Sequence, residues 1–592
     1  MKKLIWCILI LTIAVALALS SCQPAAVEEE GKTITGKVVE KEAPVKEKEK
    51  EVVLPAEEKP TYGGTLNLPL AGDIVSFEPS TVYSMIYCNM IYDRLFHGDF
   101  TASESEWTFY GIYIPPDFMV GNLCESYEEP DPRTFILHLK KGLNWQNLPP
   151  VNGREFTADD VVYSFNRLAT VGQYAGRFSQ FLKSVEALDK YTVEVKWAPA
   201  DYPDWLTWMT AGNTWVVARE VDEKYGDLKD PLVQVGTGPY IIDDYVPGTS
   251  LWFKKNPDYW GKDPRYPTNR LPYIEKINYS VIADESTRLA ALRTGKIDRH
   301  TAIAWDQADS LIQSNPELKY REILGETFAG ISVRTDLEPF NDIRVRKALS
   351  MAVDHESIRT KYYKGHAEDN FPIPVCWKNV YIPVKQLPES IQEIMSYNPD
   401  KARELLAEAG YPNGFKFEVQ VSNLLRPMID VLQLMKEWYK DVGVDMEINV
   451  MENAAYISVR YQHTYPQASA GVGGISSPTF AFSWLYQPEG VFRVYNVGCV
   501  KDPVYNEKYL ALLDVWTKDP VERDKVFKDI YLYTLENCWA VTMPYPNTYT
   551  FWQPWLKGGY WGQTGMSYTS SGDMYKYMWL DMDLKKQISG RS

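Results

Sequence analysis

The sequence predicts an α/β protein, and three observations carry that reading. Residues 415–450 run strand, helix, strand: Phe415, Phe417, Val419 and Val421 alternate, an amphipathic helix spans 428–442 and stops at Gly443, and 444–450 alternate again. A crossover of this length implies a parallel pair in a right-handed βαβ unit. Other segments switch between the same two periods and carry their own start and stop signals. Finally, 592 residues with 45% hydrophobic content suffice for several domains, or for two large lobes with insertions.

The N-terminus comes before any of this. Met1-Lys2-Lys3 precedes an apolar run over residues 4–19 and then Leu19-Ser20-Ser21-Cys22. A basic start, an apolar core and small residues form a secretory signal, and the run of about 16 residues is short against the roughly 20 of a membrane span. Leu-Ser-Ser-Cys resembles the bacterial lipobox, so residues 1–21 are expected to be a signal peptide and Cys22 a lipidated new N-terminus. The alternative is an ordinary signal with a chance cysteine. Residues 23–60 are rich in Glu, Lys, Val and Pro without an aromatic. Such a segment buries too little to offset its ordering entropy and reads as a disordered tether with a coil span of roughly 35 Å.

The folded part is expected from residue 61. Gly63-Gly64-Thr65-Leu66-Asn67-Leu68 reads as its first strand, and 134–139 as another with Phe135, Leu137 and Leu139 on one face. Thr157-Ala158-Asp159-Asp160 is a capping-box-like start for a helix with Val161, Val162, Phe165 and Leu168 on its apolar face. Residues 185–197 form a hairpin turning at Asp189-Lys190, and 276–282 a strand followed by a helix ending at Gly295. Val345, Ala348, Leu349 and Ala352 fall at helical spacing. Asn398 caps a helix with Pro399 first and Gly410 after its end. Residues 521–539 are the last long helix.

Composition excludes some functions. The net charge of −16 argues against a nucleic-acid or anionic-membrane surface as partner. Cys88, Cys124, Cys376, Cys499 and Cys538 remain beyond the signal, none in a C-x-x-C pair; export permits disulfides, and Cys88 with Cys124 is the nearest pair. No phosphate-binding G-x-x-x-x-G-K-[ST] occurs, nor a G-x-S-x-G elbow, and His355-Glu356 lacks the second histidine of a zincin helix. No catalytic residue, cofactor or metal is expected. The 14% aromatic content fits either a large core or a ring-lined cleft.

A resemblance then enters through an ordered set of motifs. Gly63-Gly64-Thr65-Leu66, Phe156-Thr157-Ala158-Asp159-Asp160-Val161, Gly236-Thr237-Gly238-Pro239-Tyr240 and Asn256-Pro257-Asp258-Tyr259-Trp260-Gly261 are followed by Gly295-Lys296-Ile297-Asp298. The helix motif from Pro339-Phe340-Asn341-Asp342 to Leu349 comes next. The chain from about residue 61 to 590 resembles the extracytoplasmic solute-binding proteins of ATP-driven (ABC) importers, of the peptide/nickel or family 5 type. Within the helix motif, Arg344 and Arg346 read as surface partners of carboxylates.

The resemblance implies a two-lobed periplasmic-binding-protein-like α/β fold of the large type, with hinged lobes around a ligand cleft. Lobe one takes 61–300, including a subdomain at about 100–225; lobe two takes 301–540; residues 541–592 return to lobe one. It implies a monomer, anchored by lipid on the extracytoplasmic face, that hands a small solute to a membrane permease. Peptide-binding relatives place a carboxylate in lobe two for the solute's ammonium group. The matching residues here, 471–488, contain no acid. Phe480, Phe482, Trp484 and Tyr486 in that stretch are candidate stacking rings or core, and Asp73, in the loop after the first strand, is a candidate acceptor from lobe one. A peptide-like solute is the first expectation. An oligosaccharide bound by aromatic stacking is the second, and a secreted hydrolase on the same scaffold the third.

Overall fold

The computed structural model describes residues 59–592 apart from 75, 82–84, 103–105, 108–113, 132, 173–174, 198–208, 211–213, 325–326, 370–372, 376, 378–379, 475–481, 483–495, 516–518, 559–571 and 591–592. Cys22 and the tether lie outside the described residues.

The first sheet grows from the predicted opening strand. Thr65–Leu70 buries Leu66, Leu68 and Leu70 and pairs in parallel with Lys276–Val281, in register from Thr65↔Lys276 to Leu70↔Val281. Ser250–Lys255 and Tyr240–Val246 complete this four-stranded sheet with antiparallel pairings. Between Leu70 and Tyr240 the chain inserts a second four-stranded sheet, antiparallel throughout, in the order Cys124–Asp131, Thr134–Leu139, Thr192–Trp197, Leu182–Asp189. The predicted strand 134–139 and hairpin are both present. The turn sits one residue later than expected because the Asp189 carboxylate accepts the Tyr191 N–H at 2.7 Å. Helix Ala158–Leu168 buries Val161, Phe165 and Leu168, and its Asp160 accepts the Thr157 N–H at 2.9 Å, which completes the capping box.

Two features tie separate segments of the insertion to one another. Gly238 N–H donates to the Ile91 carbonyl at 2.8 Å, and a methyl group on Gly236 would lie 1.8 Å from that oxygen. The Gly236-Thr237-Gly238 motif is therefore demanded by a close backbone approach. The Arg167 guanidinium, on the inserted helix, donates to both Glu78 oxygens at 2.7 and 2.9 Å and also to Asp222. The Arg167 and Glu78 side chains are each 6% exposed.

The second large sheet has five strands in the order Asp445–Met451, Lys416–Ser422, Ala468–Gly474, Thr327–Val333, Ala540–Met543. The predicted parallel pair runs in register from Lys416↔Asp445 to Ser422↔Met451, with helix Arg426–Asp441 as its crossover. Val419, Val421, Ala468 and Ala470 face a core that includes Val345 and Leu349 of helix Ile343–Met351, Leu406 of Pro399–Glu408, and Leu432 and Met435 of the crossover helix. Asp342 and Asn398 cap their helices as bare side-chain acceptors. Residues on the opposite face, Gln420, Ser469, Gly471, Ser332 and Thr542, are small or polar and also buried.

One sequence expectation needs correction. Arg344 does pair with a carboxylate, Asp342 at 2.6 Å, but Arg346 is buried and donates to the carbonyls of Phe340, Asn341 and Asn537 at 2.7, 3.2 and 3.0 Å. It ties the start of its helix to the end of Pro520–Asn537, a distant partner that local spacing does not reveal. Cys88 and Cys124, the nearest pair in sequence, are both buried free thiols, and Cys124 donates to the Ser126 and His138 carbonyls at 3.0 and 3.1 Å. Burial, offset in part by those hydrogen bonds, pushes the Cys124 thiol up to about 12.

A small three-stranded sheet links the two large ones: Arg299–Ala304, Thr548–Trp552, Lys319–Ile323, with the C-terminal strand in the middle. The chain passes from it to the five-stranded sheet between Ile323 and Thr327 and comes back between Met543 and Thr548. The C-terminal residues then pack on the first sheet, where the Lys585 ammonium donates to the Thr65 carbonyl at 3.2 Å and pairs with Asp298 at 3.2 Å.

The Arg167 cluster supports a stability test. Burial works to raise the Glu78 pKa, but Arg167's hydrogen bonds and charge outweigh it and hold the carboxyl below its ordinary value. The resulting stabilisation is fully present above the unfolded value near pH 4.3 and is lost as pH falls through the depressed folded value. Arg167→Ala is expected to cost about 3–5 kcal/mol by stranding two carboxylates. In urea unfolding, the difference between wild type and Glu78→Gln should shrink from pH 7 toward pH 3.

Candidate functional site

Ligands of open α/β sheets bind in the crevice beyond the carboxyl ends of parallel strands. Each large sheet has one such edge. In the first sheet, Leu70 leads into Ala71-Gly72-Asp73, and Val281 leads to Asp284, the cap of helix Glu285–Arg293. In the five-stranded sheet, Ser422 leads to helix Arg426–Asp441, Met451 to helix Asn453–Tyr461, and Gly474 into residues outside the description. The Ser422 hydroxyl donates to the Asn453 side-chain oxygen at 2.8 Å, and Asn423 N–H to the Met451 carbonyl at 2.9 Å, so two strand ends are tied together. Leu424 projects from this edge at 69% exposure.

The sequence candidates fall differently on this frame. Asp73 is at the first sheet's edge. One of its oxygens accepts Ile74 N–H at 2.8 Å and the Tyr245 hydroxyl at 3.0 Å, and the other accepts Gly248 N–H at 2.8 Å. Partial burial raises its pKa, but the three hydrogen bonds prevail and hold it below the usual range; Tyr245 is pushed up to about 12 by burial and by this carboxylate. Asp73 is thus an ionised carboxylate locked onto the 246–249 turn, with lone pairs left over. Phe482 is fully buried: its ring lies 5.2 Å from that of Phe527, and its carbonyl accepts the Tyr505 hydroxyl at 3.0 Å. The ring packs as core. Phe480, Trp484 and Tyr486 lie outside the described residues.

Sequence reasoning missed the polar groups that gather where the chain passes between the sheets. The His366 ring stacks on Trp305 at 5.5 Å and is hydrogen-bonded to the Tyr549 hydroxyl at 2.6 Å, with Asp309 and Glu322 oxygens each 3.6 Å away. Asn547 donates to Glu322 at 2.9 Å. Next to it, Asp369 pairs with Arg359 and lies 3.5 Å from His355, whose two ring nitrogens are otherwise without partners. Asp369, Tyr381, Tyr531 and Thr542 line a cavity of about 10 Å³, where the Thr542 hydroxyl is unpartnered and one Asp369 oxygen has only the long contact to His355. That volume and those two groups suit one water molecule. No local signal marks this cluster, because its members are brought together from several separate segments.

The comparisons with known proteins agree with this architecture. The profile of the bacterial extracellular solute-binding proteins, family 5 (middle part), matches residues 119–492. The chain belongs to this family. It is 28% identical over 387 residues to heme-binding protein A of Haemophilus influenzae, covering 60% of this chain and 65% of that one. It is 26% identical over 423 residues to the glutathione-binding protein GsiB of Escherichia coli, covering 69% and 76%. Among solved structures, the periplasmic binding protein DppA of Helicobacter pylori in complex with peptide STSA superposes with a TM-score of 0.66 at 22% identity, over 88% of this chain and 99% of that one. The protein is therefore a two-lobed binding protein rather than an enzyme, and the hydrolase expectation is set aside. Among the described residues no helix is long and apolar enough to cross a membrane.

The Asp369 cluster yields a test of its own. Burial opposes the Asp369 charge, but His355 and Arg359 overcome it and hold the carboxyl below its usual value. Its stabilisation is therefore present at neutral pH and fades only as pH falls below the ordinary carboxylate range. Asp369→Asn should cost about 1–3 kcal/mol at pH 7, read by urea unfolding. The cost should diminish below about pH 4.

Proposed function

We propose that this protein is a lipid-anchored receptor that takes up a peptide-like solute between its lobes and hands it to the permease of an ATP-driven importer. The observation that carries the solute class is the match to a glutathione-binding protein along 76% of that protein's length. Glutathione is itself a small peptide. The same fold around peptide STSA supports the reading. Asp73, Phe480, Trp484 and Tyr486 remain the proposed contacts, Asp73 from lobe one and the rings from lobe two. Closure follows from a solute that touches both lobes at once and so favours the state in which they are near.

The chemistry of the crevice narrows how a peptide would be held. Residues 471–488 have no acid. Glu452, close to them in sequence, accepts the N–H groups of Ala454 and Ala455 at 2.9 and 3.2 Å, so its charge caps a helix. Among the described residues on this side a solute ammonium would have no dedicated partner, and leaving it unpaired would be costly. Recognition through the solute's other end, its backbone and its apolar side chains suits these residues better.

The anchor reading rests on Leu19-Ser20-Ser21-Cys22 and the acidic and basic tether behind it. A lipid and a flexible tether would keep a soluble receptor near its permease at a raised effective concentration.

Two experiments test these claims. A thermal-shift panel of di- to pentapeptides, glutathione and oligosaccharides should give stabilisation by peptides, with about 2.7 kcal/mol at one hundred times the dissociation constant. Stabilisation by sugars alone would replace the solute class. For the anchor, Cys22→Ser should move the expressed protein from the membrane fraction to the soluble one, and unchanged retention would remove the lipid claim.

A further inference from the structure

Arg460 is a buried cation that has no acidic partner among the described residues. It sits in the last turn of helix Asn453–Tyr461 and is 4% exposed. One terminal nitrogen donates to the Tyr456 hydroxyl at 2.6 Å, and Nε donates to nothing. Among the described residues it forms no ion pair. The carboxylate of this neighbourhood, Asp336, is already taken by Arg334 through two hydrogen bonds of 2.7 Å. The Tyr456 hydroxyl is spent on the Ala470 carbonyl at 2.8 Å.

Three further observations mark this as a built place. The Tyr465 hydroxyl is buried without a partner and within range of the Arg460 charge, and burial, with a contribution from Cys499, raises its pKa, so it supplies no negative charge. The guanidinium lies against Gly471 so closely that a methyl there would be 2.0 Å from its nitrogen. The strand is open at this point only because residue 471 is glycine. Gly471 is three residues from the end of Ala468–Gly474, so the guanidinium lies about 10 Å from the crevice edge at 3.3 Å per residue.

An uncompensated buried guanidinium costs several kcal/mol, and two idle donors, an N–H and an O–H, suit a group that only accepts. We propose that Arg460 and Tyr465 form a subsite for an oxyanion of the carboxylate class, filled by the carboxylate of the solute. The site stands on the geometry alone, and only the identity of its occupant rests on the peptide reading above.

The test uses the purified mature chain, as wild type and as Arg460→Met and Arg460→Lys. Short peptides are offered as free acids and as C-terminal amides, with acetate and inorganic phosphate as separate probes, and melting temperature and affinity are read. Free acids should bind wild type about tenfold or more tighter than amides. Arg460→Met should abolish that preference and, without ligand, melt no lower than wild type, because it removes an unpaired buried charge. If Arg460→Met does not fold, Arg460→Lys decides, since it keeps the charge but loses the fork: a weakened preference supports the subsite and an unchanged one overturns it. Equal binding of acids and amides to wild type overturns the subsite and leaves the peptide reading intact. Stabilisation by acetate or phosphate in wild type but not in Arg460→Met, with no peptide effect, supports the subsite and overturns the peptide reading. An Arg460→Met protein that melts several degrees lower with the acid preference retained identifies Arg460 as a structural residue and overturns the proposal.

Discussion

Everything in this molecule depends on one strand ladder. Thr548–Trp552 lies between Arg299–Ala304 and Lys319–Ile323, and its register sets Thr548 opposite Ile323. Both chain crossings therefore leave the small sheet side by side. They arrive side by side as well, since Thr327–Val333 pairs with Ala540–Met543, with Ala329 opposite Met543. The link between the two large sheets is a paired ribbon interrupted for only a few residues. Any relative motion of the two sheets would be absorbed there, as changes in a handful of backbone dihedrals, in the manner of a hinge. The polar cluster of Glu322, His366, Asn547 and Tyr549 sits on this ribbon, so its hydrogen bonds bear directly on how easily it bends.

How much of this could be read from the chain follows from the range of each interaction. Helix starts at Thr157 and Asn398 were readable because a cap and its N–H groups lie within a few residues of one another. The parallel pair 416–422 and 445–451 was readable because strand, crossover and strand are contiguous. Sheet order was not, since Thr65 pairs with Lys276 and Thr548 with Ile323 across long stretches of chain. Arg346 illustrates the same limit: its helical position suggested a surface cation, whereas the carbonyl of Asn537 decides its place. Phe482 belongs to an alternating set whose face periodicity cannot name, and Phe527 settles it as core. Arg460 gave no local signal at all, apart from the glycine-rich strand whose missing side chains make room for it.

The distribution of charge around the crevice is the less obvious consequence of the fold. Carboxylates do occur at the strand ends: Asp73, Asp284 and Glu452. Each accepts backbone N–H groups, those of Ile74 and Gly248, of Thr287, and of Ala454 and Ala455. Asp284 and Glu452 sit at helix N-termini, where their charge is balanced by the positive end of the helix dipole. Counting acids near the crevice therefore overstates its negative potential, because these acids are part of the framework. Cations differ in kind. Arg334 is neutralised by Asp336, while Arg460 is buried with no balancing charge among the described residues. In a medium of low effective dielectric, an unbalanced buried charge outweighs several surface carboxylates already engaged with backbone dipoles. Under the proposed subsite, one arginine and one glycine make this strand edge favour negative charge.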